Sequence, residues 1–540
     1  MPNIQLLDCT LRDGGYINDW EFGHNNIISI LNRLEQAGVD IIELGFLDGR
    51  RPFDINRTIM PDTACAARIA GNNKRSSMLV GMIDYGTCGI ENLQPASESI
   101  LDGIRVIFKK QKMNEAMEFC GQVKALGYKV FSQLVSITSY SDEELIKLID
   151  LVNRIKPYAV SMVDTYGLLH PEELLHYYDI LDRYAAKEIQ IGFHAHNNFQ
   201  LAYANDITFI GKSAQHDIVV DATLYGMGKS AGNSQIELVA MYLNDKFGKD
   251  YKINYLLEAI EETVMDFYGK SPWGYKMFYY LSAKNRCHPN YVSKFLKKEN
   301  LSLTDLDRIL GEISPESAKL LYDSDTADSL YDEFENELDD TNDYFRLSRE
   351  LSGKKILVMG PGKNVELQKN KIREYIKEHT PVIIAINYIP EEFGADYVFV
   401  TNRKRHRQMT EGLEKQVHSD IKLIATTNIT AGKTGFEYRL KISELLEAGE
   451  LYSDNSFIML IKALRKCGIS EISCAGLDGY SNKEDNYFNP KMEYSFVKSQ
   501  AEHLNNKVRA LLFEKFSDMN FNFITYSKYT EREDCYDGTF

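Results

Sequence analysis

Two histidines separated by one residue, His194 and His196 in GFHAHNN (192–198), stand at the end of a run that reads as a β-strand. Side chains alternate along a strand, so both imidazoles face the same side. Two imidazoles this close repel when protonated and are most useful when both bind one metal ion; a pair of polar core or surface histidines is the plainer alternative. Near the start of the chain, DCTLRDGG (8–15) places Arg12 beside Asp13. Asp13, His194 and His196 offer one carboxylate and two imidazoles, and Asn233 in GMGKSAGN (226–233) could add an oxygen, although it reads equally well as a helix N-cap. This donor set suits a catalytic divalent ion, Mn²⁺ or Mg²⁺ before Zn²⁺ or Co²⁺. Such an ion can hold a 2-oxo acid by its carboxylate and keto oxygens. It then acts as a Lewis acid for the enolate formed when a neighbouring C–C bond breaks or forms. Arg12 would add fixed positive charge beside that oxyanion, or else pair with a structural carboxylate.

These residues need a frame that brings distant segments together. Short Ile/Val/Leu-rich runs at 3–8, 40–46, 78–84, 103–109, 129–135, 159–165, 189–196 and 217–223 read as strands. Between them, NNIISILNRLEQAG, NEAMEFCGQVKALG and DEELIKLIDLVNRIK have the apolar spacing of amphipathic helices. Eight β–α units in this length predict a (β/α)8 TIM barrel in preference to an open doubly wound sheet. Active sites of barrels lie where strands run into the following loops. Beyond the set above, those positions hold Glu43, Asp84, Lys109, Asp164, Thr165 and Asp221. Glu43, Lys109, Asp164 and Thr165 are the candidates for binding substrate, Lys109 through a carboxylate or phosphate. His288, in HPNY, either points into the barrel mouth or starts a turn, the turn being favoured.

The 540 residues exceed one ordinary core, and 44% apolar with 26% charged residues is the balance of a globular protein. A net charge of −16 argues against nucleic acid as a partner. Eight cysteines without metal-finger or CxxC spacing read as reduced thiols. No basic stretch followed by an apolar run opens the chain, and no window is long and apolar enough for a bilayer, so a cytoplasmic protein with no membrane partner is expected. The predicted layout is a barrel over 1–300, an acidic helical connector over 301–350 and a Rossmann-like α/β domain over 351–540. In that last domain, GPGKN (360–364) follows a strand and precedes a helix, where backbone amides can cradle a phosphate. AGKTG (431–435) is not a P-loop, because the motif needs glycine at Thr427.

Four motifs, DCTLRDGG, VDTYG, GFHAHNNFQLAYAND and VDATLYGMGKSAGN, are similar to those of the metal-dependent TIM-barrel lyases and synthases built around D-x-T-L-R-D/E-G. That superfamily includes the 4-hydroxy-2-oxovalerate aldolases, 3-hydroxy-3-methylglutaryl-CoA lyases, and 2-isopropylmalate and homocitrate synthases. The resemblance covers roughly residues 1–290 and implies that Asp13, His194 and His196 are metal ligands and Arg12 the enolate-stabilising arginine. HAHNNFQLAYAND and DATLYGMGKSAGN are most similar to the pyruvate-releasing aldolases, and the absence of cysteine from GMGKSAGN counts against a hydroxymethylglutaryl-CoA lyase. Those aldolases carry a proton-transferring histidine where this chain has Tyr16. Their second catalytic tyrosine, in Tyr-x-x-Phe, corresponds to Tyr275 of YKMF (275–278), where a core tyrosine is equally plausible. Glu43 in IIELGF looks more like the acyl-CoA condensing synthases. In the C-terminal half, GLDGY (476–480) resembles a segment of nucleotide-sugar-using or pyrophosphokinase-like domains, which implies a nucleotide or sugar nucleotide near GPGKN and Asp478; a structural or regulatory α/β domain is the equal alternative.

The expected activity is a divalent-metal-dependent aldolase that cleaves or forms a 4-hydroxy-2-oxo acid, with pyruvate and an aldehyde as partners, in a homo-oligomer. Tyr16 or a water on the ion is the candidate base and Tyr275 a further catalytic residue. A Claisen-type acyl-CoA synthase and a non-catalytic metabolite-binding protein are the alternatives.

Overall fold

The structure is a computed structural model that describes residues 2–212, 215–298, 300–315, 319–413, 420–429, 435–447, 455–489, 492 and 498–530. It divides into two compact units, one of Met1–Lys294 with Leu306–Ala327 and one of Phe295–Asp305 with Asp328–Phe540. The segment 301–350, expected as a separate connector, is thus shared between the two. It is helical over Leu303–Gly311, Ser324–Glu337 and Thr341–Leu351.

In the first unit the apolar runs form parallel strands β1 (Ile4–Asp8), β2 (Ile41–Leu47), β3 (Ile59–Met60), β4 (Met78–Asp84), β5 (Gly103–Phe108), β6 (Lys129–Leu134), β7 (Ala159–Asp164), β8 (Gln190–Ala195) and β9 (Ile218–Ala222). Pairing of β1 with both β9 and β2 closes a barrel, with the two-residue β3 appended to β2. The three sequence-predicted helices are present as His24–Gln36, Met113–Ala125 and Asp142–Ile155. The last starts at a capping box, with Ser141 and Glu144 satisfying each other's backbone amides.

Strand alternation sorts the barrel interior into layers. Leu7, Ile41, Val80, Phe131, Ala159 and Val219 fill the lower layer as one apolar cluster. Two residues further along their strands, Glu43, Gln133, Ser161 and Asp221 form a polar layer with Arg105 of β5, all nearly or fully buried. The register sets Asp221 opposite His194 on β8 and Asp164 opposite Ala195.

The second unit holds a parallel sheet of β10 (Ile356–Met359), β11 (Val382–Ile386), β12 (Tyr397–Val400), β13 (Lys422–Thr426), β14 (Tyr438–Leu440), β15 (Glu471–Ala475) and β16 (Asn520–Phe523). Their order is β14-β13-β12-β11-β10-β15-β16, so the winding reverses between β10 and β15. GPGKN and GLDGY follow these two strands, but the expected phosphate cradle is turned inward. The Gly360 and Gly362 amides donate to the Ala475 and Gly476 carbonyls at 2.9 and 2.8 Å. The Asn364 amide donates to Asp478 Oδ2 at 2.8 Å, so a carboxylate stands where a phosphate was expected. Except for Gly435, AGKTG lies outside the described residues. No helix among the described residues is long and apolar enough to cross a membrane.

Candidate active site

The site is built upward from the charged layer. Arg105 donates through Nη1 to Glu43 Oε2 at 3.0 Å, through Nη2 to Gln133 Oε1 at 3.1 Å, and through Nη2 to Asp221 Oδ2. Glu43 Oε2 also accepts from Arg12 Nε at 2.8 Å, and Arg12 Nη1 pairs with Asp13. Arg12 and Asp13 sit on the short helix Thr10–Asp13 that caps β1. The Arg12 guanidinium also lies 5.9 Å from the ring centre of Phe46. Glu43 is fully buried and does not line the cavity. Expected to meet substrate, it instead fixes Arg12 from beneath.

Above this layer, Asp13, His194 and His196 converge, each offering a ligand atom within 4.8 Å of the others'. His194 Nδ1 lies 3.1 Å from Asp221 Oδ2, and His196 Nδ1 lies 3.0 Å from the Asp164 carbonyl oxygen. Both partners are acceptors, so each Nδ1 carries the proton and each Nε2 presents a lone pair. The two Nε2 atoms and Asn233 Oδ1 are buried polar atoms without a hydrogen-bond partner. Asn233 Nδ2 donates to Asp13 Oδ2 at 2.7 Å, and His196 Nε2 is 3.5 Å from that same oxygen. Burial opposes charge on Asp13, but the adjacent Arg12 guanidinium outweighs it and holds its carboxyl well below the usual range. His194 is lowered by burial, with Asp221 acting in the opposite sense, and is neutral at pH 7. Two imidazoles with unpartnered Nε2 atoms, an ionised carboxylate and an unpartnered amide oxygen are donors that fit a divalent cation. A Cβ on Gly228 would lie 2.5 Å from both Asp13 Oδ2 and Asn233 Nδ2, so only glycine lets this loop close over the ligand atoms.

Cys9, His194 and Asp221 form a second cluster, but on the Nδ1 side of His194. There Arg105 already takes Asp221, and burial raises the Cys9 thiol well above its usual value. That cluster supports the histidine from behind.

A cavity of about 690 Å³ opens over the ligand atoms, lined among others by Arg12, Asp13, Tyr16, Lys109, Thr165, His194 and His196. Tyr16 packs edge-on to Trp20 and Phe46. The residue as a whole is 43% exposed; partial loss of water at its phenol, with Asp13 nearby, raises it above an ordinary phenol. Thr165 accepts the Ser136 amide at 2.7 Å through Oγ1. Asp164 accepts the amides of Leu168 and Leu169 at 2.8 and 3.0 Å, and burial raises it to about 6. Its carboxylate therefore shapes its own loop and is not offered to substrate. Tyr275 is 55% exposed, is not among the residues lining the cavity, and its hydroxyl meets Met277 Sδ. It lies in the turn before the helix Met277–Lys284, so the Tyr-x-x-Phe register does not deliver it to the mouth.

Several lining residues escaped sequence reasoning. Lys229 stood inside the quoted loop GMGKSAGN, so its position was a signal that went unused. Arg286, Leu320, Leu321 and Tyr322 come from the helical segment after the barrel, where no pattern marks them. His288 both precedes the helix Pro289–Leu296 and lines the cavity, where the turn alone was favoured. Burial pushes it down to about 4.

A family model described as HMGL-like matches residues 3–264. The 4-hydroxy-2-oxovalerate aldolase 2 of Salinispora arenicola (strain CNS-205) is 30% identical over 243 residues, 45% of this chain and 68% of that protein. The oxaloacetate decarboxylase of Mycobacterium tuberculosis (strain ATCC 25618 / H37Rv) is 27% identical over 275 residues, 50% of this chain and 78% of that protein. A 2-isopropylmalate synthase of Sulfolobus acidocaldarius is 26% identical over 273 residues, 49% and 69% of the two chains.

Proposed function

The chain belongs to the HMGL-like family, and from that premise we propose that it is a carbon–carbon lyase that cleaves, or in reverse forms, a 4-hydroxy-2-oxo acid, with pyruvate and an aldehyde on the other side of the equilibrium. The observation that carries this reading is the convergence of the Asp13 carboxylate with His194 and His196, whose Nε2 atoms are buried without a hydrogen-bond partner, beside Arg12. A divalent ion held there, Mn²⁺ or Mg²⁺, would supply Lewis acidity toward the 2-oxo acid.

The chain's own residues carry the rest. Arg12, locked by Glu43 and Asp13, presents fixed positive charge to the developing enolate oxygen without reorganising. Asp221 and the Asp164 carbonyl hold the two imidazoles in the tautomer that keeps Nε2 free. Tyr16 is a neutral phenol at pH 7. In the forming direction it donates its proton to the alkoxide that arises from the aldehyde oxygen. In the cleaving direction the phenolate must remove the 4-hydroxyl proton, and that form is scarce at neutral pH. Lys109 and Thr165, at the ends of β5 and β7, border the space for the rest of the substrate.

The test is exchange of the pyruvate methyl protons in D₂O, followed by NMR, with Mn²⁺ and with chelator. Exchange that needs the ion and is lost in His196→Ala supports pyruvate as the enolised partner. Exchange of acetyl-CoA instead would overturn the reading in favour of a Claisen-type synthase.

A further inference from the structure

One end of the cavity has no role in enolising a 2-oxo acid. Five cationic side chains line the cavity as a whole, against the carboxylates of Asp13 and Asp84. Arg12 is committed to Asp13 and Glu43. Lys110 is spent on the Ser139 carbonyl and Glu144 at 2.8 and 2.9 Å, and Arg286 on Glu173. Lys109 and Lys229 remain. Among the described residues neither ammonium has a hydrogen-bond or ion-pair partner; Lys229 lies 5.2 Å from the Tyr16 ring centre. Asp84 acts on both lysines and Asp13 more strongly on Lys229, whose backbone amide donates to Asp13 Oδ2 at 3.2 Å, but neither carboxylate pairs with an ammonium. His288 joins them from the segment after the barrel, as a further lining residue of the same cavity. Its Nδ1 accepts the Asn290 amide at 3.1 Å, so the neutral ring carries its proton on Nε2 and is a donor there. Tyr166 and Tyr322 pack against the ring and fix it, at 5.5 and 6.0 Å between ring centres.

We infer that Lys109, Lys229 and His288 form an anion subsite, and that the aldehyde partner carries a carboxylate or phosphate that binds there. The inference rests on the aldol reading, since it takes the metal-facing end as the place of pyruvate. Three N–H donors from three separate elements, with no protein acceptor, are what an acceptor-only group requires. A neutral aldehyde would leave both ammonium groups without a hydrogen-bonded anion. The cavity, at about 690 Å³, also has room for more than pyruvate and a small neutral aldehyde.

Unreactive alcohols separate this inference from catalysis. Isothermal titration of the Mn²⁺-loaded protein with pyruvate present would compare 4-hydroxybutyrate, 2-hydroxyethyl phosphate and neutral 1,4-butanediol. At least one charged alcohol should bind tenfold or more tightly than butanediol, and which one does identifies the anion. That preference should fall at least fivefold in both Lys109→Gln and His288→Gln. Equal binding of all three alcohols, or a preference that survives both substitutions, would overturn the subsite. Charge preference without pyruvate exchange in the wild type would keep the subsite and remove the aldol reading. Exchange without charge preference would do the reverse.

Discussion

Asp221→Asn tests the support of the metal ligands most directly. Asp221 Oδ2 serves His194 Nδ1 at 3.1 Å and the Arg105 guanidinium at once. The buried layer sets two guanidiniums, Arg12 and Arg105, against three carboxylates, Asp13, Glu43 and Asp221, for a net charge of minus one that a divalent ion takes to plus one. The asparagine keeps an acceptor for His194 but deletes one carboxylate charge, so the loaded layer rises to plus two. Loss of such an outer partner lowers metal affinity by about 10- to 100-fold, or roughly 1.4–2.7 kcal/mol. Arg105→Met does the opposite to the charge. It leaves Glu43 and Asp221 without their shared cation, at a cost of about 3–5 kcal/mol to the ion-free fold, while the ion then meets a layer of minus two. The two substitutions should therefore move Mn²⁺ affinity in opposite directions. Free Mn²⁺ measured by EPR during titration at pH 7.5 gives the affinities, and urea unfolding without metal gives the stabilities. An Asp221→Asn protein with intact near-UV circular dichroism and an affinity within about threefold of wild type would refute the reasoning, as would a shared direction of change.

Asp13→Ala should abolish Mn²⁺ binding and turnover together, and retained turnover would remove the metal assignment. Because its surroundings raise Tyr16 above an ordinary phenol, kcat/KM for cleavage should climb with pH, by up to about tenfold per unit between about pH 7 and 10, as phenolate accumulates. Tyr16→Phe should lose that slope and about 10²–10⁴ in rate; a flat wild-type profile would exclude the phenol as the base. Tyr275→Phe should leave kcat/KM and stability nearly unchanged, since its hydroxyl is exposed and outside the cavity. A tenfold loss there would place it in the site after all.

Much of this protein was legible residue by residue because its determinants are local. The buried strands of a parallel barrel read as apolar runs whatever they pair with, and β1, β2 and β4 through β9 fall within a residue or two of the expected stretches. The His-x-His pair shares a face by strand alternation alone, and Asp13 and Arg12 follow directly on β1. The short edge strands Tyr438–Leu440 and Asn520–Phe523 escaped for the converse reason: the first is three residues long and the second has half-exposed phenylalanines, so neither has a strong apolar run.

Partnership could be decided only by closure and register. Arg105 lies in the apolar run GIRVIFK, read in the sequence only as a strand, and nothing in that run says what its charge meets. Parallel pairing around the barrel brings it to Glu43 and Asp221, 62 and 116 residues away. The same closure turns Glu43 from a substrate contact into a support for Arg12, and the loop after β7 draws the Asp164 carboxylate back onto its own amides. Tyr275 and His288 show the contrast most clearly. Both lie beyond the last barrel strand, and the fold of that segment sends the tyrosine to solvent and the histidine into the mouth. Residue type and spacing determined which atoms could do chemistry, because those properties are carried along the chain. Which of them share one cavity depended on long-range contacts, and those exist only once the barrel is closed.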